Sequence, residues 1–185
     1  ISRAASIARD AAAKGLKAKV PFMITPGSEA TMRTIQRDGM LEPLEAIGGV
    51  VLANACGPCI GQWKRDDRDG IEGTTNLIIT SYNRNFPKRN DGDAATLAFV
   101  TSPETVVALA LSGRVDFDPQ TDTLTNEAGE QVSLIVGEAI ELPPGGFESG
   151  DSMFIAPPED GSSVEVTVNP ASDRIQLLTP FPAWD

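Results

Sequence analysis

The sequence contains no histidine and only two cysteines. Without histidine, the chain cannot build a Ser-His-Asp or Cys-His catalytic set, or the commonest zinc and haem sites, from its own residues. Two cysteines so close in sequence cannot staple distant segments, which excludes the disulfide framework of a small secreted domain. Nothing approaches the ~18 uninterrupted apolar residues of a membrane span. No basic start, apolar run and small-residue cleavage site opens the chain. It begins Ile1-Ser2-Arg3 rather than on methionine, which suggests the interior of a longer gene product. Basic residues are scarce towards the far end. Residues 91–185 carry two Lys/Arg against seventeen Asp/Glu, whereas residues 1–37 carry seven against two. A tail so acidic repels nucleic-acid phosphates and anionic lipid, so neither nucleic acid nor membrane is expected as a partner. It reads as a solvated surface, or alternatively as a docking surface for a basic partner. A small anionic substrate would still meet local positive charge near residues 84–89.

What is present suits a globular domain: 185 residues, 41% of them hydrophobic, enough to bury a core. Residues 2–18 are Ala-rich, with Ile7, Ala8, Ala11, Ala12 and Leu16 at helical spacing. Val20 to Ile24 is a short apolar run closed by Thr25-Pro26-Gly27, a buried strand and its turn. Ser28 caps a predicted helix through Met32 and Ile35 towards Gly39. A shorter helix spans residues 41–47, and Val50 to Ala53 forms the next strand. Strands are also predicted over 76–80 and 97–100. Ser102 as cap, Pro103 in the first turn and Glu104 at the positive end open a helix that stops at Gly113.

Short apolar runs alternating with helices predict an α/β fold: a mostly parallel sheet covered by helices on both faces. In such sheets ligands sit beyond the carboxyl ends of strands. The unusual polar sequences fall there: Cys56 and Cys59, Asn83 and Arg84, and Ser102. Residues 1–115 are expected to form this core domain. Residues 116–185, rich in Pro, Gly and acidic residues, are expected to form an irregular extension or interdomain linker with short strands near 132–136, 164–168 and 175–178.

Cys56-Gly57-Pro58-Cys59 offers two thiols one turn apart. That spacing suits iron–sulfur ligation when further cysteines come from elsewhere, a redox disulfide, or half of a zinc site. Two buried thiols acting as small hydrophobes is the plain structural alternative. The same tetrad occurs in thioredoxin, but Ala55 stands where thioredoxin has tryptophan, and its later cis-proline strand has no good counterpart.

The longer string from Val51 to Trp63 resembles the iron–sulfur signature of the aconitase family. Thr80-Ser81-Tyr82-Asn83-Arg84-Asn85-Phe86, followed by Arg89-Asn90-Asp91, is similar to that family's substrate loop. Ile24 to Ser28, Ala98 to Pro103 and the ending Leu177-Leu178-Thr179-Pro180-Phe181 look like the same family in the same order. The likeness covers nearly the whole chain and is weakest over 116–172. It implies that Cys56 and Cys59 are two of three ligands of a 4Fe–4S cluster, the third lying outside this chain. It implies that Arg84 and Arg89 grip substrate carboxylates, a task suited to the planar, always-charged guanidinium, and that Asn83 orients the substrate or a cluster sulfur. The family's reaction interconverts citrate and isocitrate through cis-aconitate, with a serine base and Asp-His pairs from other domains. No catalytic base is therefore expected here, and the isolated chain is expected to be inactive and short of its cluster. Its partners would be the three acids and the remaining domains. Mitochondrial matrix and bacterial cytoplasm both fit. Phe86-Pro87-Lys88 departs from the usual loop of mitochondrial relatives. Related hydro-lyases acting on homoaconitate or isopropylmalate share the cysteine tetrad but differ in the arginine loop. Outside the family, a thiol–disulfide oxidoreductase and a pure interaction module are the rival readings.

Overall fold

The computed structural model describes residues 1–54, 56–151, 154–178 and 181–182. Ala55 of the cysteine motif, and Thr179 and Pro180 of the closing motif, lie outside the described residues. The chain divides into two units, Ile1–Ser152 and Met153–Asp185.

In the first unit, helix α1 (Ser2–Ala13) buries Ala4, Ala5, Ile7, Ala8 and Ala11 on one stripe. It ends five residues earlier than the apolar spacing predicts. Gly15 adopts φ +72, a left-handed turn that stops the helix, and Leu16 N–H folds back onto the Ala11 carbonyl at 2.9 Å. Strand β1 (Phe22–Ile24) follows. Helix α2 (Glu29–Arg37) starts where expected, the Ser28 hydroxyl accepting from Thr31 N–H at 3.1 Å. Helix α3 (Leu41–Ala46) leads to β2 (Gly49–Val51), which runs parallel to β1. Strands β3 (Asn76–Thr80) and β4 (Thr96–Val100) form a second parallel pair. Helix α4 (Pro103–Ser112) is capped by Ser102 and closed by Gly113 at φ +69, as the sequence indicates.

The α/β class therefore stands, with helices and short parallel sheets. The four strands form two separate parallel pairs, and β5 (Leu124–Thr125) and β6 (Gln131–Val132) add a small antiparallel one. The core joins α1, α3 and α4. Ile7, Ile47, Val107 and Leu111 are its largest fully buried side chains. Phe117, Leu124 and Leu134 close it from the segment after α4. That segment stays tied to α1: Ser6 Oγ accepts from Gly137 N–H, and Ser2 Oγ from Ile140 N–H.

Within the second unit, the apolar runs at 164–168 and 175–178 form no strand. Val164, Val166, Ile175, Leu177 and Leu178 are all exposed, and among the described residues no strand pairs with these runs to complete the backbone hydrogen bonds. Among the described residues no helix is long and apolar enough to cross a membrane.

Candidate functional site

Strand β2 delivers the chain to the cysteine turn. Leu52 N–H still bonds the Ile24 carbonyl at 2.9 Å, and the backbone then leaves the pair. Gly57–Cys59 form a 3₁₀ turn with Pro58 in its first positions, where a missing N–H costs nothing. Cys59 N–H bonds the Cys56 carbonyl at 2.9 Å, so both thiols rise from one turn. Cys56 is exposed, Cys59 is partly buried, and both are free thiols.

Strand β3 delivers the arginine loop. Arg89 is almost buried at 8% exposure, and Asn90 more so at 3%. The Arg89 guanidinium lies 5.2 Å from the Tyr82 ring centroid and 5.5 Å from that of Phe86. Its Nε–H donates to the Cys59 carbonyl at 3.2 Å and its second terminal nitrogen to Asn83 Oδ1 at 3.1 Å, while the first donates to the Arg84 carbonyl. Asn90 Nδ2 donates to the Pro58 carbonyl at 2.9 Å, and Trp63 N–H reaches the Asn90 carbonyl at 3.4 Å. The two loops also touch backbone to backbone. A Cβ at Gly61 would stand 2.7 Å from the Lys88 carbonyl oxygen, and Gly61 has φ +80, so only glycine fits there.

The structure thus brings Cys56, Cys59, Asn83, Arg84 and Arg89 into one joined pair of loops, one following β2 and the other following β3. Ser102, the remaining polar residue predicted at a strand exit, serves as the cap of α4. Arg84 is exposed. Arg89 uses three bonds within the chain, and a guanidinium has five donors, so N–H groups remain for a carboxylate.

A second polar cluster fixes the base of these loops, and the sequence reading did not assign it a role. Arg65 and Asp91 pair at 3.1 Å with side chains 10% and 6% exposed. The same Arg65 nitrogen donates to Asn76 Oδ1 at 2.7 Å, and Thr96 Oγ1 donates to Asp91 at 2.7 Å. Burial alone would lower the Arg65 pKa, but its bonds to Asp67 and Asp91 outweigh that and raise it. The hydrogen bond from Arg65 holds the Asp67 carboxyl below the usual carboxylate range. Asp93 is held low by the backbone N–H groups of Ala95 and Gly73. The Arg65 guanidinium also lies 5.7 Å from the Trp63 ring centroid.

Tested against an iron–sulfur cluster, the donor set agrees in kind and is incomplete in number. Two exposed or half-exposed free thiols on one turn match thiolate ligation. Asn54, beside the turn, bonds Glu29 through Nδ2 at 2.6 Å, while its Oδ1 is buried without a hydrogen-bond partner among the described residues. No group of three or more His, Cys, Asp or Glu that could hold a metal ion occurs among the described residues.

The chain is α/β, with a thiol pair and guanidinium groups on two loops that touch each other. The aconitase family (aconitate hydratase) model matches residues 1–113. The chain is 55% identical over all 185 residues to a mitochondrial aconitate hydratase of Emericella nidulans. It is 54% identical to that of Saccharomyces cerevisiae and 53% identical to a probable mitochondrial aconitate hydratase of Caenorhabditis elegans. The match covers all of this chain and 23–24% of each relative, so the chain spans about a quarter of their length. The chain belongs to the aconitase family.

Proposed function

We propose that this chain is the part of an aconitate hydratase that carries two cluster ligands, Cys56 and Cys59, and the carboxylate-binding residues Arg84, Arg89 and Asn83. The observation that carries the reading is the bond from Arg89 Nε–H to the Cys59 carbonyl, which fixes the guanidinium and the thiol turn to each other. Cys56 and Cys59 would each hold one corner of a 4Fe–4S cluster, with a third cysteine from the rest of the enzyme. When bound, the cluster supplies a Lewis-acidic iron for a substrate hydroxyl and carboxylate.

The chain's own residues would bind and orient. Arg84 extends into solvent and would take a carboxylate of citrate, cis-aconitate or isocitrate in a bidentate grip. Arg89, clasped by two rings and two carbonyls, would present its remaining donors at a fixed angle. Asn83, held by Arg89, would set the orientation of the bound acid. The proton-moving groups would come from the remaining domains, so turnover belongs to the complete enzyme. The relatives' mitochondrial names support the mitochondrial matrix as its compartment. The same full-length setting would put the parallel strands into one sheet covered on both faces.

Replacing Arg84 with lysine in the full-length enzyme tests the substrate half of this reading. Lysine keeps the charge and loses the fork. The expected result is a KM for citrate raised at least about tenfold, a loss of roughly 1.4 kcal/mol, with iron content unchanged. An unchanged KM would overturn the assignment.

A further inference from the structure

Three consecutive residues of the arginine loop grip the loop that carries the thiols. Arg89 Nε–H donates to the Cys59 carbonyl at 3.2 Å, and Asp91 accepts from Arg65 at 3.1 Å. Between them, Asn90 makes two bonds to the same loop. Its Nδ2 donates to the Pro58 carbonyl at 2.9 Å, and its main-chain carbonyl accepts from Trp63 N–H at 3.4 Å. One residue therefore bridges the turn from Pro58 to Trp63. Inside that span, Gln62 N–H bonds the Gly57 carbonyl at 3.0 Å and Cys59 N–H the Cys56 carbonyl at 2.9 Å.

Asn90 is 3% exposed, while Cys56 is exposed and Cys59 half-buried, so it holds the turn from its buried side. Both of its hydrogen bonds go to that turn. An amide buried there that lost its partner could not turn to water instead. The side chain must also donate, because Pro58 offers a carbonyl. An aspartate of the same size would set oxygen against oxygen. Its neighbours have other duties: Asp91 pairs with Arg65, and Arg89 also bonds Asn83 and the Arg84 carbonyl.

We propose that Asn90 is a positioning residue of the thiol turn: by holding Pro58 and Trp63 it fixes the direction of the Cys56 and Cys59 thiolates and slows release of the iron–sulfur group they hold. The inference rests on the assignment of Cys56 and Cys59 as ligands. Residues that orient metal ligands without binding the metal typically change its retention by about 10- to 100-fold. Asn90 acts through the main chain of the turn alone, so carboxylate binding by Arg84 is left intact.

Full-length enzyme carrying Asn90→Ala tests this, with Leu111→Ala and Cys59→Ser beside it. The readout is the rate at which visible cluster absorption decays, without oxygen, in the presence of a ferrous chelator. Asn90→Ala should decay at least about tenfold faster than the unaltered enzyme, with the KM for citrate unchanged. Leu111→Ala, which weakens the helical core, should decay at the unaltered rate. Decay of Asn90→Ala at the unaltered rate, or equal acceleration in Leu111→Ala, would overturn the proposal. A raised KM for citrate with an unaltered decay rate would place Asn90 with the substrate residues and overturn it equally. Should Asn90→Ala not fold, the same-sized Asn90→Asp is read in the same way, and failure of both to fold would make Asn90 purely structural and overturn it. Full iron in Cys59→Ser would instead overturn the ligand assignment, and the inference with it.

Discussion

The helical side and the strand side of the first unit are finished to different degrees. On the helical side Ile7 and Leu111 are 1% exposed and Ile47 is fully buried. Along the strands, Met23 pairs with Val50, Leu77 with Leu97, and Ile79 with Phe99. Of these, Met23, Val50, Leu77, Leu97 and Phe99 are all exposed. Parallel strands carry apolar residues on both faces because both are normally covered. In this unit the helical side is closed and the strand side is apolar and open.

The largest expected effect sits on the finished side. Leu111→Ala should destabilise the folded unit by about 3 kcal/mol, because a fully buried leucine leaves a cavity. Phe99→Ala, on the open face, should cost the 185-residue chain under about 0.5 kcal/mol. Denaturant titration of both variants measures the contrast, and similar losses would break it. In the full-length protein the Phe99→Ala cost should rise to about 3 kcal/mol if that face is covered there.

Next in size is the polar cluster beneath the two loops. Asp91→Ala would remove one of the two carboxylates that pair with Arg65 and leave the buried Thr96 Oγ1 without its acceptor, while Asp67 stays paired with Arg65 at 2.7 Å. A loss of about 2 kcal/mol is expected, read as a lower midpoint in denaturant. A change below about 0.5 kcal/mol would show that the pair is not what holds the loop base.

Helix caps come third. Ser102→Ala should cost about 1 kcal/mol by freeing the Thr105 N–H. Ser102→Thr should restore most of it, and no loss on Ser102→Ala would remove the cap from the account.

Acid gives the mildest contrast. Asp67 and Asp93 are held below their ordinary values by hydrogen bonds that exist only in the fold. Their contribution is complete above about pH 3.9, the unfolded carboxylate value, and is lost as the pH falls through the lower folded values. Exchange protection around 65–76 and 91–96 should therefore fall in acid before that of α1 and α4. Simultaneous loss in both regions would contradict the separation.

The sequence disclosed the elements whose signals are local. Ser28 and Ser102 announce their helices, and Gly113 ends α4, because a cap depends on one or two side chains and a left-handed turn. Strands β3 and β4 were legible as apolar runs for the same reason. Helix α1 was overextended because Leu16 continues its apolar spacing, yet Gly15 turns the backbone and Leu16 reaches the core from beyond the helix. The apolar runs after residue 160 read as strands because composition does not reveal whether a partner exists. At the site, the thiol turn and the arginine loop were visible as motifs. Their contacts through Arg89, Asn90 and Gly61 were not, since spatial neighbours about thirty residues apart leave no local pattern. The Arg65–Asp91 pair was hidden likewise, each residue resembling any surface charge until burial was known.

The most direct test of the central claim is the iron and acid-labile sulfide content of purified full-length enzyme carrying Cys59→Ser, beside Arg84→Lys as the control. The account predicts that Cys59→Ser loses most of its iron, sulfide and visible cluster absorption, while Arg84→Lys keeps all three. Full iron and sulfide in Cys59→Ser would contradict it.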